Sequence, residues 1–91
     1  MKPLEWNPEK NSKLTRERGF SFEDIQVAIE EGKLLDVVRH PNVKQYPNQW
    51  MLIVALERYA YAVPYVEKED CLFLKTAFPS RKYTKRYFQS T

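Results

Sequence analysis

The stretch QWMLIVALERYAYAVPYV, from Gln49 to Val66, holds two runs rich in β-branched and aromatic residues, Gln49–Leu56 and Tyr59–Val66, split by the charged pair Glu57-Arg58. Such runs read as strands, and the short break between them reads as a tight hairpin. Neither Glu57 nor Arg58 is the Gly or Asn that a two-residue turn favours, so a longer loop also fits the sequence. In the second run Tyr59, Tyr61, Val63 and Tyr65 alternate with Ala60, Ala62, Pro64 and Val66, which sets the tyrosines on one face. Aromatic residues at that period usually serve a sheet core, although they can also stack bases. Pro64 removes one ladder donor and predicts an edge or a bulge.

Working outward, His40-Pro41-Asn42 and Tyr46-Pro47-Asn48 carry turn chemistry, and the branched run Leu34, Leu35, Val37 and Val38 before them predicts another strand. Glu67-Lys68-Glu69-Asp70 predicts the next turn, Cys71–Phe78 a fourth strand, and Pro79-Ser80 the entry to a short basic helix over about Arg81–Phe88. Upstream, Leu4-Glu5-Trp6 reads as a short edge strand. Asn7-Pro8 then supplies an N-cap and a proline for the first turn of a helix that runs to Arg18 and stops at Gly19. Ser21 and Asp24 form an acidic capping box, Phe20 and Ile25 a hydrophobic staple, and a second helix ends at Gly32. The expected architecture is α+β in a single domain over residues 1–91. Two N-terminal helices would cover one face of a four-stranded antiparallel meander sheet, with a C-terminal helix at its end and the other face or rim free for a ligand.

Ninety-one residues with 43% hydrophobic content suit one small core. Two glycines, neither in a Gly-rich loop, write no P-loop or dinucleotide fingerprint. One cysteine, Cys71, permits no internal disulfide, and with one histidine, His40, it cannot close a Cys/His zinc site. These features predict no cofactor and no metal, a cytoplasmic location, and no secretion or membrane insertion. The net charge of +3 conceals segregation, since residues 21–40 carry −3 and residues 71–91 carry +5 with no acid at all. A basic stretch interleaved with Tyr83, Tyr87 and Phe88 suits phosphate contact and base stacking; the competing reading is a solvated helix face over core aromatics.

Three motifs, Trp6-Asn7-Pro8-Glu9-Lys10-Asn11, Arg18-Gly19-Phe20-Ser21-Phe22-Glu23-Asp24-Ile25 and Ser80-Arg81-Lys82-Tyr83-Thr84-Lys85-Arg86, resemble the BrnT family of type II toxins across nearly the whole chain. The resemblance implies a RelE-like fold and a ribonuclease that arrests growth by cutting RNA during translation. It also implies a cognate ribbon-helix-helix antitoxin, through which alone operator DNA is bound. The chain departs from the family pattern at Glu17-Arg18, where Lys-His is common, and at Thr76, where a strand Arg is commoner, although Lys75 adjoins it.

Metal-free RNA cleavage needs a proton taken from the 2′-hydroxyl, a proton given to the leaving 5′-oxygen, and fixed cations for the phosphorane. Arg81 and Lys82 are the expected phosphate and charge-stabilising residues, and His40, the one histidine of the chain, is the expected proton-transfer group. Without His40, the base would be Glu57, a lysine or Tyr83. Lys10, Lys13 and Arg16, at helical spacing, with Lys75, Tyr83, Lys85 and Arg86, make up the expected RNA-binding set. Cys71 reads as an inert thiol. The alternative is a catalytically inactive relative that acts as an RNA-binding or protein-interaction module.

Overall fold

Capping chemistry sets both N-terminal helices. Asn7 Oδ1 accepts the Glu9 and Lys10 N–H groups at 2.8 and 3.2 Å and opens α1 (Pro8–Arg18), which Gly19 closes at φ +79°. Ser21 and Asp24 form the reciprocal capping box of α2 (Phe22–Glu30). Asn11 ties the two helices together, accepting the Phe22 N–H at 2.8 Å and donating to Glu23 Oε1 at 2.7 Å. The computed structural model describes residues 1–89, and its remaining elements are β1 (Leu4–Trp6), β2 (Leu34–Arg39), β3 (Gln49–Leu56), β4 (Tyr59–Glu67), β5 (Leu72–Leu74), β6 (Phe78–Pro79) and α3 (Arg81–Phe88).

The chain is α+β, with three helices and a mixed sheet among the described residues. Strands β2 to β5 pair antiparallel in sequence order, as the meander reading expected, but the sheet is larger than four strands. β1 adds to β5 in parallel, Leu4 opposite Leu72, and the short β6 adds to β4. The fourth strand, expected to be continuous over Cys71–Phe78, is broken. Three residues, Lys75–Ala77, face two, Val63 and Pro64, so the strand bulges opposite the proline.

Glu57 and Arg58 form a two-residue turn, with Leu56 paired to Tyr59. Their φ angles are +51° and +69°. The positive pair is what lets a two-residue turn follow the twist of its strands, and here two side-chain-bearing residues adopt it in place of Asn-Gly.

The two faces of the sheet carry separate cores. On one face Leu52, Val54, Val63, Tyr65 and Leu74 pack against Leu14 of α1 and Phe22, Ile25 and Ala28 of α2. On the other, Met51, Ile53, Ala60 and Ala62 pack against Tyr83 of α3. The last helix therefore lies across the second face, not at the end of the sheet, and that face is not left free. A buried clip holds it there: the Ala60 N–H donates to Thr84 Oγ1 at 2.9 Å, Thr84 Oγ1 donates to the Ser80 carbonyl at 2.7 Å, and the Ser80 N–H donates to the Ala60 carbonyl at 2.8 Å. Among the described residues no helix is long and apolar enough to cross a membrane.

Candidate nucleic-acid interface

The bulge opens the edge of the sheet towards α1. A cleft runs along this opening, and its walls come from three separate parts of the chain. Lys10, Lys13, Glu17 and Arg18 of α1 line one side, and Lys75, Thr76 and Phe78 of the bulged segment line the other. Round the bulged edge the cleft continues to His40, Tyr46 and Gln49, with Lys10 and Lys75 still on its wall. A shallower groove extends it along α1 past Ser12 to Arg16. Lys10, Lys13, Arg16, Arg18 and Lys75 make no ion pair among the described residues, so their charge faces solvent or a ligand. The Lys75 ammonium also lies 5.3 Å from the centre of the Phe73 ring.

His40 is held in one tautomer. Its Nδ1 accepts the Asn42 N–H at 3.1 Å, and its ring rests 4.5 Å from that of Tyr46. With Nδ1 engaged as an acceptor, the neutral ring carries its proton on Nε2 and presents a donor. That form can donate to a phosphoryl or leaving oxygen. It cannot take a proton through Nε2.

Comparison with protein-family models, curated proteins and solved structures finds no match.

The residues expected to act together thus separate into two groups. Lys10, Lys13, Lys75 and His40 share the cleft, and Arg16 stands on its extension. Arg81, Lys82, Lys85 and Arg86 are exposed on α3, which packs on the face opposite α1, and none of them lines the cleft. His40 therefore does not work beside Arg81 and Lys82 as the sequence suggested. Tyr83, expected to stack on RNA, is a core residue; its ring packs against Met51, Ile53, Ala60 and Ala62 while Lys82 and Arg86 lie 5.3 and 5.4 Å from its centre. Ser80 and Thr84, which looked like part of a functional motif, cap and clip α3. Arg18 was missed as a site residue. The signal was present in its place one residue before Gly19, where the chain leaves α1 and its last side chain turns to the cleft.

Burial pushes the Cys71 thiol above its ordinary range, helped by the nearby charges of Glu5 and Asp70, so it stays protonated at neutral pH. Among the described residues no three His, Cys, Asp or Glu side chains gather as metal ligands would.

Proposed function

We propose that this chain is a RelE-like ribonuclease toxin of a type II toxin–antitoxin pair, acting in the cytoplasm to inhibit translation and neutralised by a ribbon-helix-helix antitoxin that alone contacts operator DNA. The observation that carries the reading is the convergence of Lys10, Lys13, Lys75 and His40, from segments far apart in sequence, on one cleft. Unpaired cations in a groove of this kind track a phosphate backbone. In the proposed reaction the 2′-oxygen attacks phosphorus and the 5′-oxygen leaves, giving a 2′,3′-cyclic phosphate and a 5′-hydroxyl. Lys10 and Lys75 stabilise charge on the phosphorane, the neutral His40 ring hydrogen-bonds the leaving oxygen through Nε2–H, and a water molecule gives that oxygen its proton. Glu17, the carboxylate on the α1 wall, takes the 2′-hydroxyl proton.

A second reading is supported by His40, whose engaged Nδ1 and protonated Nε2 remove the usual base from the cleft. On that reading the domain binds RNA, mRNA on the ribosome included, without turnover. Purified protein on labelled RNA, with EDTA and with or without ribosomes, separates the two. Cleavage that persists in EDTA, is lost in Lys75→Ala and survives in Arg81→Ala supports the ribonuclease. Binding without cleavage supports the module, and absence of both rejects the cleft as an RNA site. In either binding reading Lys75→Ala should reduce the slope of log affinity against log salt by about 1, as loss of one phosphate contact does, and Arg81→Ala should leave it unchanged.

A further inference from the structure

Beyond the cationic cleft, Arg18 also lines a second cleft of about 360 Å³ at the Glu57–Arg58 turn, together with Phe20, Asp24, Glu57 and Tyr61. We propose that this cleft is a nucleobase subsite selective for guanine. The proposal rests on the RNA reading above and concerns which base that RNA presents.

The walls have the two surfaces a base requires. Phe20 and Tyr61 are half-buried and meet edge to face with ring centres 4.8 Å apart, and Tyr59 continues the aromatic surface 5.7 Å from Tyr61. Unpaired bases stack on such rings whatever their identity. Selectivity comes from the carboxylate beside them. Glu57 is exposed, and its side chain makes no hydrogen bond or ion pair among the described residues. Asp24 is less available, since its Oδ2 already accepts the Ser21 N–H in the capping box.

An ionised carboxylate only accepts, through two oxygens side by side. Guanine alone among the four RNA bases presents two adjacent donors, N1–H and the 2-amino group, on its Watson–Crick edge. Adenine and cytosine place a ring acceptor next to their amino group, and uracil flanks its single N–H with carbonyls, so each would set a lone pair against Glu57. Arg18 stands between this cleft and the cationic one, placed to hold the phosphate that joins a captured base to the backbone track.

The test is fluorescence anisotropy with end-labelled octaribonucleotides, one all uridine, one with a single central guanosine, and one with inosine in its place. A bidentate base contact predicts about tenfold tighter binding of the guanosine oligomer, with inosine, which lacks the 2-amino donor, falling back towards uridine. Glu57→Gln should erase the guanosine preference without weakening the binding of oligo-uridine. Equal binding of the guanosine and uridine oligomers, or a preference that persists in folded Glu57→Gln, overturns the subsite and leaves the RNA reading standing. The inosine comparison reads the same contact in the unaltered protein, should the variant not fold. Failure of the wild-type protein to bind any oligomer overturns the RNA reading, and the subsite with it.

Discussion

Thr84→Val tests whether α3 is held to the sheet by one hydroxyl. Valine keeps the shape of threonine and its contacts, so the change isolates the hydrogen bonds. Two are lost, but their costs differ. The Ser80 carbonyl still accepts the Thr84 N–H at 3.0 Å, so it keeps a partner. The Ala60 N–H, on a residue with no solvent exposure, loses its acceptor outright. A buried donor left without a partner costs roughly 1–3 kcal/mol, so the expected loss is about 2 kcal/mol. For a domain of this size, 1 kcal/mol moves Tm by about 4–8 °C, which predicts a fall of roughly 8–16 °C. Urea denaturation followed by circular dichroism gives the free energy, and a thermal melt gives Tm. Thr84→Ser is the control, since it keeps the hydroxyl and loses only a methyl group, at a cost of about 0.8 kcal/mol. A Thr84→Val protein within about 0.5 kcal/mol of wild type, a change no larger than that of an ordinary surface substitution, would refute the clip. So would a Thr84→Ser protein that is equally damaged.

Two further outcomes follow from local structure. Arg58→Gly should stabilise the hairpin by about 0.5–1 kcal/mol, because the left-handed conformation costs a side-chain-bearing residue roughly 1–2 kcal/mol and glycine returns part of that as lost backbone freedom; a lower urea midpoint would show the turn to be unstrained. Glu23 is held below the usual carboxylate range, first by the Asn11 amide, then by its own backbone N–H. A depressed folded-state pKa means that this contribution is present above the unfolded-state carboxylate pKa and is lost as pH falls through the folded value. Glu23→Gln should therefore flatten the acid limb of the stability–pH curve, and an unchanged limb would remove the Asn11–Glu23 contact from the account.

The helices were legible because their ends are written locally. Asn7, Gly19, Ser21, Asp24 and Gly32 each act within a turn of their own position, and each does what its chemistry predicts. The strands were legible as strands, but their partners were not all legible. Leu4-Glu5-Trp6 could be read as an edge, yet nothing within three residues says that the edge it joins is β5, or that it joins in parallel. The position of α3 was missed because half of its residues are basic and its attachment depends on Tyr83 and Thr84 meeting Ala60, more than twenty residues away. The site followed the same rule. Charge counting found the basic C-terminal block but treated it as one surface, whereas the turn at Pro79-Ser80 sends Arg81–Arg86 across the far face and leaves Lys75 behind at the edge. Helical spacing placed Lys10 and Lys13 together in the expected RNA-binding set, but that they would share a cleft with Lys75 was not legible, because Lys75 lies more than sixty residues away in the bulged segment.

The cleft can be traced to a conflict of period within that strand. Leu74 and Ala77 both belong to the core under α1 and α2, but in a regular strand residues three apart point to opposite faces. One extra residue between them resolves the conflict. It turns Ala77 back to the helical face, opposite Val63, and lets Phe78 pair with Ala62 on the other. The extra residue disturbs the ladder least where the neighbouring strand asks least of it, and Pro64 offers a carbonyl, which the Lys75 N–H uses at 2.8 Å, but no N–H that would need an acceptor. Lys75 and Thr76 are consequently exposed at the sheet edge, beside the lysines of α1. The same irregularity that keeps the core apolar thus places the cation on which the proposed phosphate contact depends. A proline in one strand and a lysine in the next, unremarkable apart, make the opening together.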